Sequence, residues 1–199
     1  MDLDATTARI VGIGGTTRAG SSTEKAVKFA LDVCQEEGAS VVCFTAADLA
    51  GLPFYAPEHP ERTPDAVRLI EEIRSADGLI VGSPGYHGGI SGLIKNALDY
   101  TEDLREDGRP YLTGMPVGCI ATGAGWQGTL TTLSALRDVV HALRGWATPL
   151  GAALNTSSSC FTPDGQPIDE KVRFQLSTVA HEVMSFTAQR RADLLTTVG

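Results

Sequence analysis

Short apolar segments alternate with amphipathic segments along most of this chain. The apolar segments have the length and composition of strands and lie at 9–14, 41–44, 78–82, 117–121 and within 147–154. The amphipathic segments repeat apolar residues at helical spacing and lie at 26–34, 64–75, 91–104, 129–143 and 172–183. A helix between two strands returns the chain to the edge where the first strand began, so consecutive strands become parallel. The alternation predicts an α/β fold with a five-stranded parallel sheet and helices on both faces.

The length and charge of the chain favour one soluble domain. With 199 residues, of which 42% are hydrophobic, the chain lies within the range of single domains. Its net charge of −8 would repel nucleic acid and anionic membranes, and no apolar run approaches the roughly 20 residues of a membrane span. The polar, acidic start lacks the pattern of a signal peptide, so we expect a cytoplasmic protein in which residues 1–8 form a flexible extension.

The cysteine and histidine residues do not indicate a disulfide or metal site. Cys34, Cys43, Cys119 and Cys160 are isolated in sequence, and the first three fall in apolar patterns typical of small core residues. The histidines lack the spacing of metal ligands, so no metal is expected.

The turn between the first strand and the first helix, residues 15–24, has the composition of an anion site. Backbone N–H groups at a helix N-terminus are unpaired and carry the positive end of the helix dipole, so they stabilise an anion. Glycines allow close approach, hydroxyls donate hydrogen bonds, and Arg18 offers a fork of donors. The turn therefore predicts a phosphate site formed by Thr16, Arg18, Ser21, Ser22 and Thr23.

The spacing within this turn narrows the class of phosphate ligand. It copies a Walker A loop except that Ser21 stands where the lysine should be, which argues against a nucleoside triphosphate. Thr17 stands where a dinucleotide fingerprint requires its third glycine. A monophosphate held by hydroxyls is favoured, beside the alternative that Ser21 and Glu24 only form a capping box for the helix.

Two further turns, after the third and the fourth strand, are rich in glycine and each contains an aromatic residue. They span 83–92 with Tyr86 and 122–128 with Trp126. Ligands of open parallel sheets bind beyond the carboxyl ends of the strands, so both turns are expected near the phosphate site. Although each turn alone could be a tight connection, bare backbone beside an aromatic side chain suits a flat ring, and the three turns together predict flavin mononucleotide (FMN). The predicted ring contacts are Pro84, Gly85, Tyr86, His87, Gly88, Gly123, Ala124, Gly125 and Trp126.

At these residues the chain resembles the NAD(P)H-dependent FMN reductases, a family of flavodoxin-like fold. The first motif of that family, Gly-Ser-x-Arg followed by Ser or Thr, is matched by 15–18 and 21–23. Its second motif, Ser-Pro-x-Tyr-Asn-Gly-Ser and then Leu-Lys-Asn-Ala-Leu-Asp, is matched by 83–88 and 93–99. The resemblance covers roughly residues 10–154.

Three positions depart from these motifs. Thr16 replaces the usual serine, His87 replaces asparagine, and Gly89 replaces a hydroxyl residue. Thr16 keeps a hydroxyl for the phosphate, whereas His87 introduces an ionisable group near the ring.

The resemblance implies a flavodoxin-like three-layer sandwich that forms one FMN-binding domain over residues 1–199. It implies FMN as cofactor, NADPH or NADH as the donor of a hydride to flavin N5, and a small-molecule substrate. Hydride transfer needs positioning and hydrogen-bond donors, so no catalytic side chain is expected, and the backbone N–H groups of 123–127 are candidate donors to the ring. The resemblance also implies a homodimer or homotetramer, for which the helix at 91–104 and its charged extension at 102–107 form the candidate contact.

Two other functions would use the same three turns and stay open at this point. One is an FMN-dependent dehydrogenase of a small biosynthetic intermediate, in which FMN is a resident cofactor. The other is a flavodoxin-type carrier of single electrons, which needs no nicotinamide site.

Overall fold

The computed structural model describes residues 7–197 of the chain. Its strands are β1 (Arg9–Gly14), β2 (Ser40–Phe44), β3 (Gly78–Tyr86), β4 (Gly89–Ile90), β5 (Pro116–Gly123), β6 (Trp146–Ala147) and β7 (Ala152–Asn155). Its helices are α1 (Ser22–Glu36), α2 (Ala46–Ala50), α3 (Pro64–Ser75), α4 (Gly92–Asp99), α5 (Trp126–Ala142) and α6 (Glu170–Thr197). A 3₁₀ turn (Tyr100–Leu104) continues α4.

The strands form one sheet in the order β2-β1-β3-β5-β6, with β7 also paired to β5 and β4 paired to β3. These pairings are parallel except for the β3–β4 hairpin. From β1 the chain adds β2 on one side and then β3 on the other, so the strand order reverses between β1 and β3. This is the doubly wound order of flavodoxin-like proteins, and it confirms the predicted fold class.

The sheet has seven strands, so the prediction of five is wrong in number. The segment predicted as the fifth strand is divided into β6 and β7. Pro149 has no N–H to donate to β5, and the N–H of Leu150 donates to Glu182 Oε2 at 2.8 Å instead. β6 and β7 therefore pair with opposite ends of β5. The other strand that was not predicted is β4, which pairs antiparallel with the end of β3.

Helices cover both faces of the sheet. On one face α1 and α6 bury an apolar layer that includes Val27 and Leu176. On the other face α3, α4 and α5 bury Leu69, Ile94 and Leu136. Within residues 7–197, no helix is both long enough and apolar enough to cross a membrane.

Two glycines let α1 lie directly on the sheet. Gly14 of β1 and Gly82 of β3 are paired neighbours, and a Cβ at either position would lie 2.5 Å from Val27 Cγ2. No side chain larger than hydrogen fits between this part of the sheet and α1. The N-terminus of α1 consequently lies close to the carboxyl ends of β1 and β3.

Several element boundaries differ from those predicted. β3 extends to Tyr86 because its end pairs with β4, and α5 begins at Trp126 rather than at 129. The helix predicted over 91–104 is divided between α4 and the 3₁₀ turn, and α2 lies in a segment with no predicted helix.

The predicted flexible extension, residues 1–8, lies largely outside the described residues. Ala8 is described, and its carbonyl oxygen accepts a hydrogen bond from Ser40 N at 2.8 Å. Residue 8 is therefore tied to the start of β2.

Candidate functional site

The carboxyl ends of β1, β3 and β5 lie side by side at one edge of the sheet. Gly14 pairs with Gly82, and Pro84 pairs with Thr122. The turns that follow these three strands are therefore neighbours, as the sequence predicted. They lie where the strand order reverses, which is the usual ligand site of such sheets.

The phosphate loop, residues 15–21, connects β1 to the first turn of α1. Gly15 and Gly20 have φ values of +145° and +68°, which residues with a side chain rarely adopt. Ser21 is the N-cap of α1, and its Oγ accepts a hydrogen bond from Glu24 N at 3.2 Å. Glu24 Oε2 accepts one from Gly20 N at 3.2 Å. Half of the capping box considered as the alternative is therefore present. It engages the Ser21 side chain, whereas Glu24 bonds the N–H of Gly20 in place of the Ser21 N–H.

The cap leaves part of the helix N-terminus available to an anion. The N–H groups of Ser22 and Thr23 lie in the first turn, where no preceding carbonyl reaches them. The N–H of Glu24, by contrast, is bonded to Ser21. Capping and anion binding are thus compatible, because they use different N–H groups.

Charged and polar side chains around the phosphate loop favour an anion there. Thr16 Oγ1 accepts a hydrogen bond from Arg18 N at 3.0 Å and so shapes the turn. The Arg18 side chain is exposed, and its guanidinium has no partner within residues 7–197. The buried carboxylate of Glu24 is offset by Lys28, whose Nζ donates to Glu24 Oε1 at 2.6 Å. Arg18 therefore remains free to bind a phosphate.

Thr23 is placed differently from the other predicted phosphate residues. Its side chain is buried, and its Oγ1 lies 2.6 Å from Thr122 Oγ1 near the end of β5. The backbone N–H of Thr23 remains available to an anion. Thr122 is not among the predicted site residues, although it is the first residue of the glycine-rich turn at 122–128.

The second predicted turn is a two-residue β-hairpin between β3 and β4. Tyr86 pairs with Gly89, and the two connecting residues, His87 and Gly88, have φ values of 53° and 80°. Positive φ at both central positions defines a type I′ turn, which matches the twist of the strands that it joins. The hairpin leaves Tyr86 with 55% of its surface exposed at the site.

Close packing and hydrogen bonds hold the hairpin against α5 and the start of α4. A Cβ at Gly85 would lie 2.6 Å from Thr132 Oγ1, so α5 packs directly on the hairpin backbone. The hydroxyl of Thr132 shares its proton between Gly128 O at 2.7 Å and Gly89 O at 3.2 Å, and so links α5 to the hairpin. At the base of the hairpin, Ser83 Oγ accepts a hydrogen bond from Ser91 N at 2.9 Å and thereby fixes the start of α4.

The third predicted turn is shorter than expected, because Trp126 is the first residue of α5. Gly125 is the N-cap and contributes no side-chain hydrogen bond, so the first N–H groups of α5 are not capped by a side chain. Gly123 is packed closely, since a Cβ there would lie 2.6 Å from Thr129 Oγ1. Ala124 and Gly125 are exposed, and Trp126 has 57% of its surface exposed.

The residues at this edge fit FMN. One helix N-terminus with a free arginine suits the phosphate, and a second, uncapped helix N-terminus offers donors to a flat ring. Two exposed aromatic side chains, Tyr86 and Trp126, flank the open part of the site. At Gly20 and Gly125 a Cβ would meet no atom within 4 Å, so the rim of the site is open.

A family model described as NADPH-dependent FMN reductase matches residues 8–158. The chain belongs to this family. The match includes the phosphate loop, the hairpin and the start of α5. It confirms the resemblance seen in the two sequence motifs.

Individual proteins agree with this assignment. An NAD(P)H-dependent FMN reductase of Pseudomonas aeruginosa is 30% identical over 172 residues, which cover 83% of this chain and 87% of that protein. An FMN-dependent NADPH-azoreductase of Staphylococcus haemolyticus is 30% identical over 171 residues, covering 82% and 86%. A solved structure of a flavoenzyme NAD(P)H:(acceptor) oxidoreductase from Paracoccus denitrificans has a TM-score of 0.72 at 20% identity, covering 92% of this chain and 98% of that one.

Family membership confirms the prediction of an oxidoreductase that depends on FMN and NAD(P)H. The three turns and the two motifs in the sequence predict the same class of enzyme. The similarity of the solved structure supports the fold.

The helix chosen as a candidate subunit contact is less exposed than its sequence suggested. Ile94, Leu98 and Leu104 lie in the core of this chain. All four acids of the charged extension pair with arginines of this chain, among them Asp103 with Arg62 at 2.7 Å and Asp107 with Arg74 at 2.7 Å. This helix therefore uses its apolar face for folding, and subunit assembly stays a prediction without support from that face.

Proposed function

We propose that this protein holds FMN as a resident cofactor and uses NAD(P)H to reduce a small, flat acceptor. The observation that carries the proposal is the pairing of a free phosphate site with an open ring site on one edge of the sheet. The phosphate loop anchors one end of the cofactor, and the exposed Tyr86 and Trp126 leave room for a second planar molecule at the other.

FMN supplies the chemistry when bound: it takes a hydride from the nicotinamide and gives up two electrons to the acceptor. In our proposal, Thr16, Arg18 and the N–H groups of Ser22 and Thr23 hold the phosphate. The backbone from Pro84 to Gly88 and from Gly123 to Trp126 lines the ring. N–H groups at the start of α5 donate to the pyrimidine side of the ring, where negative charge develops. No side chain is required as an acid or base, so positioning is the main contribution of the chain.

The acceptor class is inferred from relatives and from the shape of the site. One relative is an FMN-dependent NADPH-azoreductase, and another, 35% identical over 97 residues, is a 2-hydroxy-1,4-benzoquinone reductase of a Burkholderia species. Azo compounds and quinones are planar and take up electrons in two-electron steps, one for a quinone and two for cleavage of an azo bond. Both could stack in the opening between the two aromatic side chains.

Steady-state kinetics with NADPH or NADH and a quinone or azo dye test this proposal. A resident FMN predicts parallel double-reciprocal plots, typical of a ping-pong mechanism, and flavin that elutes with the protein in gel filtration. Intersecting plots with free FMN as the obligatory product would make FMN a substrate. Bound flavin that neither nicotinamide reduces would indicate an electron carrier instead.

We further propose a cytoplasmic homodimer or homotetramer. The cytoplasmic location is supported by Cys34, Cys43, Cys119 and Cys160, which are all free thiols, and by the use of NAD(P)H. Light scattering at micromolar concentration tests assembly, because a monomer has a mass of 20.9 kDa. A mass near that value would contradict the oligomer.

A further inference from the structure

A pair of buried hydroxyl groups joins the phosphate loop side of the site to β5. Thr23 Oγ1 and Thr122 Oγ1 lie 2.6 Å apart, and only 1% and 4% of the two residues are exposed. We infer that this pair, the threonine latch, is a positioning device that sets the phosphate site at a fixed distance from the ring site. The inference rests on the proposed function, because it concerns how the same site holds FMN.

The latch spans a strand of the sheet. Thr23 lies in the first turn of α1, which follows β1, whereas β3 lies between β1 and β5 in the sheet. The first turn of α1 reaches across because Gly82 of β3 has no side chain, and a Cβ there would lie 3.2 Å from Thr23 Cγ2. The hydroxyl of Thr23 thus meets β5 one residue before its end at Gly123, beside the turn that leads into α5.

Stability alone does not account for two hydroxyls at these positions. Within the described part of the chain, each of the two hydroxyls has only the other as a partner. Burying a hydroxyl costs free energy that its hydrogen bond offsets, whereas two valines would fill nearly the same volume with no such cost. What the bond adds is direction, because a hydrogen bond fixes the separation and orientation of the groups that it joins.

Different ligands depend on the latch to different degrees. FMN must occupy the phosphate site and the ring site at the same time, so its affinity depends on the distance between them. Riboflavin needs only the ring site, and inorganic phosphate needs only the phosphate loop. Loss of the latch should therefore weaken FMN binding and leave the other two ligands unaffected.

The test uses the double variant Thr23→Val/Thr122→Val in the full chain. Both partners become apolar together, so we expect a free energy of unfolding close to that of the wild type. We expect the dissociation constant of FMN to rise about tenfold, the effect of one misplaced charge-assisted contact, with those of riboflavin and inorganic phosphate unchanged. Thr23→Ser/Thr122→Ser is the matched control, because it keeps both hydroxyls and should keep the preference for FMN over riboflavin.

The single variant Thr122→Val leaves Thr23 intact and should show the same loss of preference for FMN. A folded variant without the latch that keeps the wild-type ratio of FMN to riboflavin affinity would overturn the inference. Equal losses for FMN and inorganic phosphate would also overturn it, since they would make the Thr23 side chain a direct phosphate ligand. A wild-type protein that binds FMN no more tightly than riboflavin would contradict the proposed function itself.

Discussion

In our proposal, Arg18 is the side chain on which phosphate binding depends most directly. It is exposed and has no partner within residues 7–197, so its removal should leave folding intact. We expect Arg18→Ala to weaken FMN binding by about 1.5–3 kcal/mol, the typical value for a hydrogen bond to a charged group. A titration followed by flavin fluorescence measures this change. Arg105→Ala, an exposed arginine of the charged extension, is the control and should bind FMN normally; equal affinities in the two variants would exclude Arg18 from the site.

His87 occupies a backbone conformation that most side chains avoid. Its φ of 53° lies in the left-handed region, where asparagine and glycine are favoured and β-branched residues are strained. We expect His87→Asn to raise the free energy of unfolding by about 0.5 kcal/mol, and His87→Val to lower it by about 1 kcal/mol or more. Urea unfolding of the FMN-free protein measures both. A valine variant as stable as the asparagine variant would contradict the turn assignment.

Ser21 and Thr23 have roles that depend on contacts distant in sequence as well as on their own residue types. Ser21 and Thr23 were predicted to bind phosphate, because hydroxyls at a helix N-terminus are typical of anion sites. The same residue types also cap helices and bond to neighbouring backbone or side chains. The composition of the turn cannot distinguish these uses. The position of β5, which comes about 100 residues later, decides that the Thr23 hydroxyl meets Thr122.

Among the contacts between elements, the packing of the hairpin on α5 is the one that shapes the proposed ring site. A methyl group at Gly85 would lie 2.6 Å from Thr132 Oγ1 and 3.3 Å from Gly128 O. We expect Gly85→Ala to lower the free energy of unfolding by about 1–3 kcal/mol and to weaken riboflavin and FMN alike, because the hairpin must move away from α5. Calorimetry and flavin titration measure the two effects. The double variant Gly85→Ala/Thr132→Ala removes the nearer obstacle and should recover part of the stability; no recovery would contradict this contact.

The bounds of an element were predicted well where a periodic pattern in the sequence sets them. They were predicted poorly where pairing with another strand, or an N-cap without a side chain, sets them. β1 and α3 have the predicted bounds, since a continuous apolar run and apolar residues at helical spacing are both visible in sequence. β3 is longer than predicted because its end pairs with β4 in the hairpin. The fifth predicted strand is divided at Pro149, and its second half pairs with the far end of β5. The start of α5 was misplaced because Gly125 gives no side-chain cap as a signal.

At the scale of the whole molecule, buried thiols make stability depend on pH in the alkaline range. Burial raises the pKa of Cys34 and of Cys119 to about 12, from a value of 9.0 for an unperturbed thiol. The unfolded chain therefore releases these protons first, so the stabilising effect is complete below pH 9 and is lost as the pH rises towards 12. We expect the free energy of unfolding to fall less steeply above about pH 9 in Cys34→Ala/Cys119→Ala than in the wild type. Denaturant unfolding at several pH values measures the slopes, and identical slopes would contradict the burial of these thiols.

In our proposal, this edge of the sheet holds an FMN that NAD(P)H reduces in place. Stopped-flow absorbance of the FMN-bound protein, mixed with NADPH or NADH in the absence of oxygen and of free flavin, measures that reduction. We expect at least one nicotinamide to bleach all of the bound flavin, at a rate that saturates with nicotinamide concentration and is unchanged by added free FMN. Bound flavin that keeps its visible absorbance with both nicotinamides would rule the proposal out.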